Sequence, residues 1–435
     1  MEDPRARIAR EPMHLRQTLA IAIATALNAL DGFDVLSISF ASPGIAKEWH
    51  VTRQALGVVL SMELIGMGLG AFLLGMLADR IGRRPTILGC LVVMASGMLA
   101  ASFAQDVTML SAFRLYTGLG IGGMLAATNA IVAECSNARR RNLAVAIMAG
   151  GYPIGAVVGG FIASQLLATT GHWQSVFQFG AAMTVCFIPL VLWLVPETIA
   201  FLLIRQPRGA LEKINRTMVR QGREPLDLLP PLPEAKKGVA LAQLFAPGVA
   251  GVSTALILAY FSHMMTFYFL MKWIPKIIVD MGYPAAAAGG VLVWANVGGA
   301  TGSITLSILT QRFGVRPLVI GLMLGGAAAV AAFGQGLGTL EALSLAACLG
   351  GFFTNGATAG LYAVIAQSYP AELRAGGTGL VIGIGRAGAA LGPIVAGALF
   401  EAHWPLSHVA GVMACGTLVG GLALSLLRYR EADIA

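Results

Sequence analysis

Stretches of roughly twenty consecutive apolar residues recur from one end of this chain to the other, each about the length an α-helix needs to cross a bilayer. The segment "AAMTVCFIPLVLWLV" (181–195) is typical. The runs are continuously apolar and do not alternate in steps of two, so they read as helices and not as strands of a barrel. Composition supports this: charged residues make up 11% of 435, less than half of the ~25% usual in soluble domains. The chain is expected to be an all-α polytopic membrane protein.

Spans are expected near 18–42, 55–78, 86–104, 108–133, 143–168, 174–195, 249–270, 285–308, 317–335, 340–365, 376–400 and 406–427. The least marked cut lies between the ninth and tenth, where "FGQGLGTLEAL" leaves a short turn. Twelve spans put both termini on one side, and the basic residues say which. Twenty-three of the 29 Lys and Arg fall in the amino-terminal tail, the even-numbered loops and the carboxy-terminal tail, including Arg428 and Arg430. The opposite side has Lys47, Arg53, Lys272 and Lys276, while Arg114 and Arg386 lie inside spans. The positive-inside rule then makes both termini cytoplasmic. The net charge of +8 is thus a topology signal and not a nucleic-acid footprint. The first apolar run is too long for a signal peptide and no small-residue cleavage site follows it. The five cysteines (Cys90, Cys135, Cys186, Cys348, Cys415) show no CxxC or ligand spacing and read as packing residues, with no metal site.

One long polar segment divides the chain: residues 1–196 form a first six-helix bundle, 197–247 a cytoplasmic linker, and 248–435 a second bundle. Within the linker, "ALEKINRTMVRQ" suits a short surface helix. An echo crosses the boundary. "GMLADRIGRRP" (75–85) and "SILTQRFGVRP" (307–317) align at an offset of 232, sharing Arg80/Arg312, Gly82/Gly314, Arg84/Arg316 and Pro85/Pro317. A fainter echo joins 137–160 to 370–393, matching Arg141/Arg374 and Gly159/Gly392. Repeated halves of this kind hold a midplane site between them and alternate access by rocking.

The 75–85 segment resembles the signature loop of major facilitator transporters, G-x-x-x-D-R-x-G-R-R, at Gly75, Asp79, Arg80, Gly82, Arg83 and Arg84. "RLYTGLGIGG" (114–123) resembles the family's span-4 motif, and "LVPETIAFL" (194–202) its P-E-S segment. "DGFD" (31–34), "WQSVF", "YPAELRAGGTG" and "GIGRAGAALGP" resemble the aromatic acid:proton symporters within that superfamily. The resemblance implies a major facilitator fold with 12 transmembrane helices in two pseudo-symmetric six-helix bundles. It also implies that the 75–85 cluster closes the cytoplasmic side and that its ion pairs break on opening inward. Glu134, at the inner end of span 4, is placed to pair with one of these arginines.

Asp31 and Asp34 are three residues apart in span 1, on one helical face and about 4.5 Å apart along the axis. An ionised acid in mid-membrane costs several kcal/mol, so this face is expected to look into the central cavity, where the pair takes up and releases the coupled proton. Which of the two carries it is open, and a structural pair bonded to backbone or to an arginine is the alternative. Arg386, near the middle of span 11, suits a carboxylate grip through parallel hydrogen bonds; it is a candidate to hold an anionic substrate, or Asp31 or Asp34 when the site is empty. Arg114 lies about 10 Å into span 4, and the resemblance of its segment to the span-4 motif implies a role in proton coupling or in helix packing. Glu63, His263 and Asn355 are further intramembrane polar groups, and Tyr152, Trp294, Phe352, Phe353 and Tyr362 are candidates to stack on a substrate ring.

Gly151, Gly155, Gly159 and Gly160 form a ladder of small residues on span 5 that permits close helix approach. Drug antiporters of the superfamily have a proline where Ala156 stands, which disfavours efflux; Pro153 is positioned to kink the helix. No GxxxxGK[ST] loop or HExxH occurs, so no enzymatic activity is expected. The expectation is a monomeric secondary transporter in a bacterial-type inner membrane, importing a small aromatic carboxylate with protons. It needs no cofactor beyond the proton gradient and no nucleic-acid partner. A symporter of another organic anion or of a sugar, an efflux antiporter and a non-transporting receptor are the alternatives.

Overall fold

The computed structural model describes residues 4–231, 241–247, 249–370 and 373–427. Residues 232–240 of the linker, and Arg428 and Arg430 of the basic tail, lie outside the described residues. Twelve helices are long and apolar enough to span a membrane. They are α1 (Leu15–Trp49), α2 (Arg53–Ile81), α3 (Arg83–Ala101), α4 (Val107–Cys135), α5 (Arg141–Thr170), α6 (Gln174–Leu194), α7 (Ala250–Asp280), α8 (Ala285–Leu309), α9 (Val315–Phe333), α10 (Leu340–Gln367), α11 (Arg374–Glu401) and α12 (Leu406–Ser425). Side-chain caps begin several of them: Thr52, Asp106 and Thr339 each accept from the backbone N–H three residues on.

The two sequence echoes correspond to equivalent contacts. In the first half α1 and α5 meet so closely that a Cβ at Gly155 would stand 1.7 Å from the Ala29 carbonyl oxygen; in the second, a Cβ at Gly388 of α11 would stand 2.2 Å from Phe261 O of α7. The paired arginines act alike too. Arg84 donates to Leu192 O near the end of α6, and Arg316 donates to Leu424 O and Ser425 O at 3.0 and 2.9 Å near the end of α12. In each half the loop before the third helix is thereby tied to the sixth.

Two helices run well past their expected ends. α1 continues through Pro43 to Trp49, and α7 through Lys272 and Pro275 to Asp280. A proline and nearby charge in each segment imitate a loop. In α7, however, Lys272 is fully buried and paired with a partner on another helix. Lys272 is therefore not an outer-loop residue, as its place in the sequence had suggested, but an intramembrane one.

The start of α1 and the end of α12 lie on one face of the bundle, here the terminal face, opposite the far face. The short helices Pro4–Arg10, Ile199–Arg205 and Ala210–Arg220 cover the terminal face of the first half; Ile8, Leu202, Ile214 and Met218 pack together there. Arg223 ties this layer to the amino-terminal segment through Glu11 at 2.6 Å.

The halves meet toward the far face. Arg53 N–H donates to Glu401 at 2.8 Å, the Arg53 guanidinium lies 3.3 Å from Asp280, and Ser61 Oγ donates to Ala390 O at 2.6 Å. A Cβ at Gly57 would stand 2.5 Å from Pro393 O, and one at Gly289 would stand 2.2 Å from Ser164 Oγ. Nearer mid-helix, the Cβ position of Gly68 is 3.7 Å from Arg386 Cβ. Among the described residues no hydrogen bond or ion pair joins the halves nearer the terminal face.

Candidate functional site

Four charged side chains of the first half and two of the second occupy the middle of the spans. α1 brings Asp31 and Asp34, with Gly32 between them: a Cβ there would fall 2.0 Å from the Tyr152 carbonyl, so only glycine lets α5 press against this turn. The acids do not open on the space between the halves. Asp31 is 1% and Asp34 0% exposed, and Asp34 Oδ1 faces Gly180 of α6, 3.2 Å from where a Cβ would stand. This corrects the expectation of a cavity-facing pair, because α5 and α6 close over that face. None of the four carboxylate oxygens has a hydrogen-bond partner among the described residues.

Arg114 reaches this pocket from α4 and is fully buried. It donates to the Asp34 carbonyl oxygen at 3.0 Å, lies 5.3 Å from the centre of the Phe177 ring, and forms an ion pair with Glu63 Oε1. The other oxygen of Glu63 lies 3.3 Å from Lys272 Nζ of α7, and that ammonium also donates to Val35 O of α1. One carboxylate on α2 thus bridges a guanidinium of its own half and an ammonium of the other. Glu63 was visible in the sequence as an isolated acid in an apolar run; its partner Lys272 was masked by the misplaced end of α7.

Arg386 does not meet Asp31 or Asp34 and has no ion-pair partner among the described residues. It is half-buried on α11, within electrostatic range of the phenols Tyr152, Tyr260, Tyr268 and Tyr362 from α5, α7 and α10. Tyr260 and Tyr362 hydroxyls hydrogen-bond at 3.0 Å, with their rings 5.8 Å apart. A guanidinium with no ion-pair partner among the described residues, and with several tyrosine hydroxyls in electrostatic range, can accept a planar anion. Tyr260 and Tyr268 were not singled out in the sequence, where they look like ordinary helix aromatics.

Other candidates lie elsewhere. Asn355 turns its amide onto α8, with Nδ2 2.5 Å from the Cβ position of Gly299. Trp294 is 53% exposed on α8 and makes no hydrogen bond or ring contact among the described residues. Phe352 and Phe353 meet edge to face, with ring centroids 5.3 Å apart. His263 is satisfied by Thr417 and Thr354 at 2.8 and 2.9 Å, as a packing histidine would be. Of the sequence candidates, Tyr152 and Tyr362 are the ones within electrostatic range of Arg386.

At the terminal face, Arg83 lies 3.0 Å from both Asp79 and Glu134, and its guanidinium sits 5.6 Å from the Phe201 ring centre. Gly82 has φ +111, a conformation that favours glycine. Glu197, the acid of "LVPETIAFL", caps the amino end of α3, accepting from the N–H of Arg83 at 3.0 Å and of Arg84 at 3.3 Å, as well as from Thr198 at 2.9 Å. Burial pushes the Glu197 carboxyl above the usual carboxylate range against the opposing pull of those three N–H groups. Arg80 is exposed, and the Cβ position of Gly75 faces Ala126 at 3.6 Å. The Arg83 pairs are intact in this arrangement, in which the contacts between the halves lie toward the far face and in mid-membrane. Both Arg83 pairs join elements of the first half.

The geometry accords with comparison to known proteins. A family profile described as Major Facilitator Superfamily matches residues 21–303 and 256–434. The 3-(3-hydroxy-phenyl)propionate transporter of Escherichia coli (strain K12) is 30% identical over 424 residues, 96% of each chain. The gallate transporter of Pseudomonas putida is 31% identical, covering 91% of this chain and 88% of that one. The 4-hydroxybenzoate transporter PcaK of Pseudomonas putida is 30% identical, covering 97% and 96%. Among solved structures, the inward open conformation of the xylose transporter XylE from E. coli superposes with a TM-score of 0.70 at 16% identity, covering 94% of this chain and 96% of that one. The crystal structure of D-xylose-proton symporter gives 0.72 at 17% identity with the same coverage. At such identities these two likenesses concern the fold alone.

Proposed function

Because the chain belongs to the Major Facilitator Superfamily, we propose that it carries a small aromatic carboxylate inward together with a proton, by alternating access across a bacterial inner membrane, with both termini cytoplasmic. The observation that carries this reading is Arg386: an intramembrane guanidinium with no acid partner among the described residues, set among four phenols. An uncharged sugar has no use for such a cation, whereas a benzoate-like anion satisfies it through two parallel hydrogen bonds while its ring lies against tyrosine. Several relatives are named for the transport of aromatic acids, which supports the same class.

On this reading Arg386, Tyr152 and Tyr362, joined by Tyr260 and Tyr268, hold the substrate. Asp31, Asp34 and Arg114 handle the proton. Two carboxylates with no donor are costly in such a pocket, and each proton taken up removes one of the two charges. Asp79, Arg83, Glu134 and Glu197 keep the terminal end of the first half rigid as it rocks. With the termini cytoplasmic, contacts gathered at the far face describe an inward-facing state.

Uptake by the purified chain in proteoliposomes tests the proposal, with 4-hydroxybenzoate, benzoate and 3-(3-hydroxyphenyl)propionate as probes. The expected result is accumulation against a gradient when the interior is made alkaline. Saturable binding without flux would mean a receptor, and substrate movement opposite to protons would mean antiport; either outcome overturns symport.

A further inference from the structure

The charges along the middle of the spans are three acids, Asp31, Asp34 and Glu63, and three bases, Arg114, Lys272 and Arg386. Arg386 sits apart among the phenols, so the acid cluster faces two cations, and these belong to different halves. Arg114 holds Glu63 from within the first half, while Lys272 crosses the seam to the other oxygen at 3.3 Å and to Val35 O. Glu63, Arg114 and Lys272 are all fully buried. The remaining titratable or charged groups facing the cluster are Cys90 of α3 beside Asp31, and Tyr152 of α5 and Tyr268 of α7 beside Glu63. The seam crossed by Lys272 is the one that the Ser61–Ala390 bond and the Gly57–Pro393 approach close toward the far face.

We infer that Lys272 is a tethered substitute for a proton on Glu63, and that the two alternate as the halves rock. With the far face closed, three carboxylates meet Arg114 and Lys272, and one proton makes the cluster neutral. Opening the far face draws α7 away from α1 and α2 and takes the ammonium, still protonated, into water. The three carboxylates then meet Arg114 alone and need two protons. The second adds to the bared Glu63 carboxylate from the far side as its O–H bond forms. On closure Lys272 returns to the carboxylate, that O–H bond breaks, and the proton leaves toward the open terminal-face chamber. Burial enforces the exchange, since removing one partner of a buried pair leaves an uncompensated charge. One proton moves per cycle, and a monoanionic substrate on Arg386 makes the loaded step electroneutral. The inference rests on the import reading above and adds the residue that exchanges with the proton and the number moved.

The test uses the full chain in proteoliposomes, comparing accumulation driven by a pH gradient with equilibrium exchange of labelled substrate. The parent is expected to move one proton per substrate and to respond to the pH gradient but not to membrane potential. Glu63→Gln and Lys272→Gln are each expected to lose gradient-driven accumulation at least tenfold more than exchange, and Lys272→Arg to restore it. Parental accumulation with an unchanged pH profile in either Gln variant overturns the inference. So does an equal loss of accumulation and exchange, which would make the pair a brace. Should Lys272→Gln fail to fold, thiol labelling of Ser61→Cys decides: acidification on the far side is expected to raise far-face accessibility, and no response overturns the exchange. A parent that transports without any proton requirement would instead remove the import reading itself.

Discussion

In the proposed function, Arg386 and the tyrosines within its electrostatic range make a general transporter scaffold selective. An anion bound there gains charge-assisted hydrogen bonds that lysine, a point charge, reproduces poorly. Arg386→Lys is therefore expected to weaken substrate binding at least tenfold, about 1.5–3 kcal/mol, read by ligand titration of the purified protein. Tyr362→Phe removes the hydroxyl bonded to Tyr260 and is expected to cost about 0.5–1.5 kcal/mol of affinity. For the proton, Asp31→Asn and Asp34→Asn are each made; at least one is expected to abolish pH-driven accumulation, and parental accumulation in both would remove the pair from coupling. Isolated charges in apolar runs made Asp31, Asp34, Glu63, Arg114 and Arg386 legible in the sequence. Their mutual geometry was not, because which helices face each other is a tertiary fact. That is why the acids were expected to face the cavity, and why Arg386 was expected to reach them.

Among the elements, the junction of α2, α3 and α6 shows how a short sequence resemblance becomes a mechanical joint. Glu197 satisfies amino-terminal N–H groups of α3 that the helix itself leaves unpaired. Glu197→Ala is expected to cost about 1–3 kcal/mol through those orphaned donors, visible as a lowered melting temperature in detergent. The pH dependence has a definite sign. Since burial raises this carboxyl, the stability linked to its protonation is complete below the ordinary glutamate range and is lost as pH rises through the raised value. Glu197→Gln lacks that titration, so its melting temperature is expected to gain on the parent as pH rises from the ordinary glutamate range through the raised value. Helix number and most helix ends were legible from hydropathy. The ends of α1 and α7 were not, since Pro43, Pro275 and Lys272 carry the usual marks of a loop and only the tertiary pairing of Lys272 with Glu63 reveals otherwise.

For the whole molecule, what matters is where the two halves hold each other. The Arg53 contacts with Glu401 and Asp280 are partly exposed, and such pairs are worth up to about 1 kcal/mol each. Arg53→Ala is therefore expected to shift the population toward the far-face-open form about fivefold, measured by thiol accessibility at far-face positions. The duplicated pattern at 75–85 and 307–317 foretold the pseudo-symmetry, but not that Arg84 and Arg316 each tie a loop to the last helix of their own half. Each six-helix unit is fastened to itself, independently of its neighbour. On the proposed rocking of the two units, free-energy changes during turnover gather along the surface between them and at the buried charges, and the apolar interiors travel as passengers. Apolar substitutions deep inside one unit, away from Asp31, Asp34 and Arg114, should alter yield and lifetime, while those along the sliding surface should alter the direction and timing of delivery.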